Sequence, residues 1–302
     1  MRLLQVLIIS LILVPLGTSV ADRTYTLEGL EQPAEIIVDR WGVPHIYART
    51  HYDAFFVQGF NAARDRLWQI DLWRRRGLGL LAEAFGEQFI EQDRANRLFL
   101  YRGDMYREWL AYGSDAKRIA EGFTAGINAY VDLIDENPEL LPPEFGLLDY
   151  QPSHWEAADV VRIRSHGLLR NVANEVRRAR IACAAGLELA GSWRVLEPEW
   201  TTTLPEGLDP CDIPTDVLTT YSLARSGVSF QPETVASAAS PLPIDGAGAG
   251  SNNWVIAPSR SATGRPVLAD DPHRSHAVPS LRYISHLVAP GMNVIGAGEP
   301  AL

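Results

Sequence analysis

The hydrophobic pattern in the first part of the chain is mostly helical. One apolar stripe recurs at spacings of four, three, four and three residues, which predicts an amphipathic helix. Its members are Phe56, Phe60, Ala63, Leu67 and Ile70. Gly77 and Gly79 follow the stripe, and we expect both to interrupt the helix. Similar patterning predicts helices over residues 94–109 and 157–189.

One further helix is predicted by its ends as well as by its pattern. It covers residues 115–137, where Ser114 can cap the first turn and Pro138 bars continuation.

Short runs of β-forming residues occupy two parts of the chain. Residues 35–39 and 45–47 flank a turn at 42–44, which predicts a hairpin. After residue 250, turn residues separate four predicted strands, at residues 253–257, 266–269, 281–288 and 293–295. Helices come first and most strands later, so the pattern predicts an α+β fold rather than alternating βαβ units.

The two segments of unusual composition predict export and a linker. Arg2, an apolar run over residues 3–14 and the small residues of 19–21 are typical of a signal peptide, which we place at residues 1–21. The apolar run is shorter than the roughly 20 residues of a membrane span, although a retained anchor stays open. After signal removal we expect a periplasmic or secreted protein without stable membrane insertion. Residues 231–250 are almost entirely small, polar or proline, as in flexible linkers.

Charge and cysteine content narrow the possible partners. The formal net charge is −10, which argues against nucleic acid as a partner because phosphate binding requires a basic surface. Cys183 and Cys211 are the two cysteines, and an exported chain permits a disulfide between them; the sequence leaves open whether it forms. The glycines of residues 246–250 lack the spacing of a dinucleotide loop, so we expect no organic cofactor.

The junction between Gly250 and Ser251 is the strongest candidate for chemistry. It joins a Gly/Ala tract to a predicted strand, where a chain can cut itself and expose a serine. An N-terminal serine carries a hydroxyl nucleophile and an α-amino group with a typical pKa of roughly 7.7–8.0, which can serve as its base. Taken alone, the same residues also fit an ordinary glycine-rich turn before a strand.

The sequence around this junction resembles the penicillin/cephalosporin acylase family. Residues 251–273, SNNWVIAPSRSATGRPVLADDPH, resemble the start of the family's catalytic chain. Three earlier blocks resemble the start of its smaller chain, in the same order: RWGVPHIY at 40–47, ARDRLWQI at 63–70 and RRRGLGLLAE at 74–83.

The resemblance implies a precursor that becomes a heterodimer of its own processed chains. It implies an N-terminal-nucleophile hydrolase with a four-layer αββα sandwich and a largely helical N-terminal chain at 22–230. Residues 231–250 would be a removed spacer, and 251–302 the start of the catalytic chain. We expect the oxyanion donors to lie beyond Leu302, so that the 302-residue chain alone is inactive.

The resemblance also assigns roles to four residues. Gly250 and Ser251 would form the cleavage site, and Ser251 would be the catalytic nucleophile. His273 would be catalytic, holding the amino group of Ser251; the nearby His276 is the alternative. Glu175 would contribute to a structural calcium site, whose remaining oxygen ligands would lie beyond Leu302.

The implied activity is hydrolysis of a linear amide that carries a small-molecule acyl group. Penicillins, acyl cephalosporins and N-acyl homoserine lactones are the candidate substrates, and the sequence does not choose among them. One alternative is a non-catalytic secreted protein of the same fold. A serine β-lactamase is disfavoured: Ser114 and Lys117 fit its first motif, but residues 251–253 and 263–264 lie too close together for its later motifs.

Overall fold

The computed structural model describes residues 23–163, 172–192, 202–230, 251–273 and 277–300. The predicted signal peptide (1–21), the predicted spacer (231–250) and His276 lie outside the described residues. Gly250 belongs to that spacer, so the predicted cleavage site is described on its Ser251 side alone.

Helices form most of the described part before residue 226, and most strands follow residue 250. The helices are α1 (His51–Leu78), α2 (Leu81–Phe85), α3 (Ile90–Phe99), α4 (Met105–Ala111), α5 (Ala116–Glu136), α6 (Pro143–Leu147), α7 (Ala157–Arg162), α8 (Val172–Ser192) and α9 (Thr219–Arg225). The strands are β1 (Glu35–Val38), β2 (Pro44–Tyr47), β3 (Ser251–Ile256), β4 (Val267–Pro272), β5 (Tyr283–Ala289) and β6 (Met292–Gly298). No helix among the described residues is long and apolar enough to cross a membrane.

The bounds of α1 follow from its capping residues. Thr50 precedes the helix, and its side chain accepts a hydrogen bond from the Asp53 backbone N–H at 3.0 Å. Gly79 ends the helix in a left-handed conformation, with φ of 68°, as predicted. The prediction for Gly77 was wrong: this residue stays helical and lies against Ile163, where an added Cβ would come within 2.6 Å of the side chain.

The predicted helix at 94–109 proved to be two helices. The chain is extended at Leu100 after α3, and the Asp104 side chain then caps α4 by accepting from the Tyr106 N–H at 2.9 Å. The helix predicted at 115–137 is confirmed as α5. Ser114 does not cap it, because Asp115 occupies the cap position and makes no side-chain cap bond.

The helix predicted at 157–189 is confirmed on both sides of a gap. α7 ends at Arg162, α8 begins at Val172, and residues 164–171 lie outside the described part of the chain. A disulfide joins Cys183 of α8 to Cys211 of the short turn Pro210–Asp212, with the Cα atoms 5.0 Å apart. The bridge that the sequence left open is therefore formed.

The six strands form two sheets. One has the order β1-β2-β5-β6, and the other contains β3 and β4. The predicted hairpin is confirmed as the antiparallel pair β1–β2, and β2 pairs in parallel with β5. This first sheet thus joins strands that are more than 230 residues apart in sequence. The predicted α+β class, with a largely helical N-terminal part, is confirmed.

The buried core lies on both sides of α1. One side packs on α5 through Phe60, Leu67 and Ile127, and the other packs Phe56 against Ile46 of β2 and Leu287 of β5. These contacts remove large apolar side chains from water, which is the main driving force of folding. The helix α1 therefore connects the helical part of the chain to the four-stranded sheet.

Candidate functional site

Ser251 is the first residue of β3, at the open end of the β3–β4 hairpin. The antiparallel register pairs Ser251 with Pro272 and Asn252 with Asp271. Pro272 is the last residue of β4 and has no N–H to donate, so the ladder of backbone hydrogen bonds stops beside Ser251. Ser251 is exposed, as is most of β3.

His273 follows Pro272 directly, which brings it to the same end of the hairpin as Ser251. Its Nε2 atom lies 3.0 Å from Oδ2 of Asp271 and 3.4 Å from Nδ2 of Asn252. The structure therefore places the two predicted catalytic residues at one end of the hairpin, and their catalytic roles stay a prediction.

The pleat of the strands determines on which face of the hairpin the contacts of His273 lie. Successive side chains of a strand point to opposite faces, so Ser251 and Asn252 project their side chains to opposite sides of the hairpin. His273 contacts Asn252 and Asp271, whose side chains are on the face opposite the Ser251 side chain. The pleat therefore separates these two contacts from the Ser251 hydroxyl.

Glu175 lies on the first turn of α8, exposed. Its Oε2 atom accepts a hydrogen bond from Nη1 of Arg178 at 3.3 Å, an i,i+3 ion pair. Calcium requires six to eight oxygen ligands. No group of three or more His, Cys, Asp or Glu side chains able to hold a metal ion lies within the described ranges. The predicted role of Glu175 in a calcium site stays a prediction.

A cavity of about 610 Å³ lies between α1, α4, α5 and the ends of β5 and β6. Its wall is mostly apolar, with Phe55, Trp109 and Phe123 among the lining residues. Glu108 also lines it, and hydrogen bonds from Tyr112 and Tyr101 lower the pKa of this carboxyl. Neither Ser251 nor His273 lines the cavity, so cavity and hairpin are separate features of the described residues. Sequence reasoning missed the cavity because its wall combines several separate elements.

A polar cluster that the sequence did not reveal joins α1 to β5. The Tyr283 hydroxyl donates to Oδ2 of Asp65 at 2.8 Å and accepts a hydrogen bond from the Asn61 side chain. Burial raises the pKa of Tyr283, which keeps the hydroxyl protonated as a donor. Nearby, Gln58 donates to the Ser285 hydroxyl at 3.3 Å.

A second polar contact joins β2 to β5 where the two strands pair. His45 and His286 are register partners, and their Nδ1 atoms lie 2.9 Å apart. Polar contacts and the apolar core thus both join residues that precede the predicted cleavage site to residues that follow it.

The chain is similar in sequence to several known proteins. A sequence model of the penicillin amidase family matches residues 33–302. The penicillin acylase 2 proenzyme of Pseudomonas sp. (strain SE83) is 32% identical over 284 residues, which is 92% of this chain and 35% of that protein. The acyl-homoserine lactone acylase QuiP of Pseudomonas aeruginosa is 29% identical over 286 residues, which is 91% of this chain and 32% of that protein.

Two further comparisons cover less of the chain. Penicillin G acylase of Escherichia coli is 34% identical over 130 residues, which is 43% of this chain and 15% of that protein. A solved structure of a thermostable penicillin G acylase from Alcaligenes faecalis covers 59% of this chain and 99% of its own, with 29% identity and a TM-score of 0.46.

The chain spans about a third of the length of the two curated relatives that it matches along nearly its whole length. The family model covers almost everything after the predicted signal peptide, including both strands of the hairpin with Ser251 and the following His273. The chain belongs to the penicillin amidase family.

Proposed function

We propose that this chain is part of an amidohydrolase precursor that cuts itself between Gly250 and Ser251 and then hydrolyses a linear acyl amide. The observation that carries the proposal is the hairpin geometry. Ser251 begins β3 and pairs with Pro272, and His273 follows Pro272 directly. Membership of the penicillin amidase family supports the reaction class.

In the proposed maturation, Ser251 attacks its own peptide bond. Its hydroxyl oxygen adds to the carbonyl carbon of Gly250, and an ester replaces the peptide C–N bond. Water then cleaves the ester, leaving a carboxylate on Gly250 and a free amine on Ser251. Gly250 suits this step because a residue without Cβ tolerates a distorted backbone.

In the proposed turnover, the new N-terminus acts as nucleophile and base. The Ser251 amine accepts the proton of the hydroxyl, and the oxygen attacks the substrate carbonyl carbon. The departing amine takes up the proton, and an acyl ester remains on Ser251. Water attacks this ester, releasing the carboxylic acid and restoring the hydroxyl.

His273 is the proposed partner of the Ser251 amine. The ring contacts Asn252, whose side chain is on the hairpin face opposite the Ser251 side chain, and this supports a role at the nitrogen rather than at the attacking oxygen. An imidazole can donate or accept a hydrogen bond, which suits an amine that is protonated and deprotonated in each cycle.

The proposed product of maturation is a heterodimer, with residues before and after the cut held in one sheet. The β2–β5 pairing, the Tyr283–Asp65 hydrogen bond and the shared apolar core all cross the proposed cut. We place the mature protein in the periplasm or outside the cell, in line with the predicted signal peptide. Its proposed substrates are penicillins, acyl cephalosporins or N-acyl homoserine lactones.

Turnover of a panel of amides tests this function. The panel should contain a penicillin, a glutaryl amide and an N-acyl homoserine lactone, and the protein should be expressed from its complete gene. We expect Ser251→Ala to abolish turnover and His273→Ala to lower kcat by about 10²–10⁴-fold, the usual contribution of a positioned acid–base group. His154→Ala is the matched control, because this exposed histidine also pairs with an aspartate, Asp132, at 2.7 Å.

Three results would count against the proposal. Robust hydrolysis by Ser251→Ala would exclude Ser251 as the nucleophile. Equal rates and pH profiles for His273→Ala and His154→Ala would remove His273 from the site and direct attention to His276. Absence of turnover across the panel in the wild-type protein would oppose the amidohydrolase assignment itself.

A further inference from the structure

Asp271 is a charged residue of the hairpin that contacts His273. Its Oδ2 atom lies 3.0 Å from Nε2 of His273. The two residues are two positions apart in sequence, on either side of Pro272, the last residue of β4. The register also places Asp271 opposite Asn252, the residue that follows Ser251. We propose that Asp271 is a positioning residue that fixes the ring orientation and tautomer of His273; this inference rests on the proposed function.

The chemistry of the contact assigns the proton on the neutral ring. An ionised carboxylate can only accept hydrogen bonds, so Nε2 must be the protonated nitrogen when it contacts Asp271. The lone pair of the neutral ring then lies on Nδ1, the nitrogen able to accept a hydrogen bond from an amine. A carboxylate that holds the second nitrogen of a histidine in this way orients the ring and fixes its tautomer.

Two neighbouring residues of the hairpin, Asn252 and Asp270, do not provide the same contact. The Asn252 Nδ2 lies farther from Nε2, at 3.4 Å, and is itself a donor, so it cannot accept the Nε2 proton. Asp270 has the same charge as Asp271 but pairs with Asn253, so the pleat directs it to the other face of β4. Asp271 is thus the acidic side chain that the described strands β3 and β4 present to the ring.

The adjacent aspartates give a matched pair of variants. Asp271→Asn removes the charge that contacts His273, whereas Asp270→Asn removes the same charge one residue away on the opposite face. Both should be made in the protein expressed from its complete gene and assayed as processed enzyme. We expect Asp271→Asn to lower kcat at least about tenfold, a part of the effect of positioned acid–base groups. KM should change little, and Asp270→Asn should behave as the wild type.

Two readouts distinguish positioning from a merely structural role. In a His273→Ala background, Asp271→Asn should cause no further loss, because its effect acts through the ring. Asp271→Glu, which keeps the carboxylate, should recover part of the activity.

The outcomes separate this inference from the proposed function. If His273→Ala lowers turnover while Asp271→Asn and Asp270→Asn have equal rates and pH profiles, the inference is wrong and the function stands. If Ser251→Ala retains turnover, the function itself fails. A second measurement does not depend on a variant: ¹⁵N spectra of selectively labelled His273 should show the neutral ring protonated on Nε2, and a proton on Nδ1 would overturn the inference.

Discussion

Ser251 and His273 show what single residues reveal in this sequence. Both lie within one continuous segment of 23 residues that resembles a known catalytic start, so local sequence was enough to propose their roles. The structure adds that a six-residue register connects them through Pro272. The contact of Asp271 with His273 depends on this register and on side-chain rotamers, so the sequence alone did not predict it.

Asp39 is the residue whose ionisation the structure links most clearly to stability. Its Oδ1 atom accepts hydrogen bonds from the backbone N–H groups of Val43 and Trp41, each at 2.9 Å, in the β1–β2 turn. The Val43 bond, with smaller contributions from Trp41 and His45, lowers the pKa of Asp39 below its ordinary value of 3.8. Because the folded state prefers the carboxylate, this stabilisation is present above that value and is lost as the pH falls through the lower folded pKa.

The predicted comparison is wild type against Asp39→Asn. The wild type should have the higher Tm near neutral pH, and the difference should vanish as the pH falls below about 4. Thermal unfolding followed by circular dichroism over that range measures it. A Tm difference that stays constant into the acid range would show that the charge of Asp39 does not stabilise the hairpin.

At the level of elements, the sequence predicted where helices and strands occur better than it predicted where a helix is interrupted. The apolar stripe that includes Phe56 and Leu67 located α1 because both face the core. The break between α3 and α4 was missed because it depends on the capping side chain of Asp104. Gly77 was misjudged since its role is to admit Ile163, a tertiary contact that local pattern does not contain.

The contact between α1 and α5 depends on two other glycines. A Cβ added at Gly126 would lie 1.8 Å from the Phe56 carbonyl oxygen, and one added at Gly59 would lie 1.9 Å from that of Phe123. The two helix backbones therefore approach more closely than any side chain allows.

We expect Gly126→Ala to destabilise the protein by about 1–3 kcal/mol or more, because overpacking must push the helices apart. Gly146→Ala is the control: it lies in α6 with no atom within 4 Å of the added Cβ. This control should be neutral or slightly stabilising, since alanine favours helix by up to about 1 kcal/mol. Denaturant unfolding of both variants tests the prediction, and equal free energies of unfolding would contradict it.

At the level of the whole molecule, the β2–β5 pairing was not predicted. The sequence located the hairpin with His45 and the later strand with His286, but local pattern carries no information on pairing across more than 200 residues. The cavity and the Tyr283–Asp65 contact were missed for the same reason. The four-stranded sheet therefore contains strands from both proposed chains: β1 and β2 precede the proposed cut, and β5 and β6 follow it.

Calcium remains a prediction for the assembled protein. If Glu175 contributes to a calcium site, Glu175→Ala should lower both the calcium content and the Tm, because an ion that binds only the folded state stabilises it. Glu188→Ala, an exposed glutamate on the same helix, is the control. A chelator should reproduce the loss in wild type. Elemental analysis that finds no calcium in wild type would leave Glu175 as the ion-pair partner of Arg178.

Self-cleavage at Gly250–Ser251 is the central claim, and the intact mass of the purified protein tests it most directly. Wild type expressed from its complete gene should yield two chains, the second beginning at Ser251. Ser251→Ala should remain a single uncut chain because alanine has no hydroxyl for the acyl shift, whereas Ser251→Cys should still be cut because a thiol is also a nucleophile. A wild type that stays uncut, or a Ser251→Ala protein cut to the same new N-terminus, would contradict the claim.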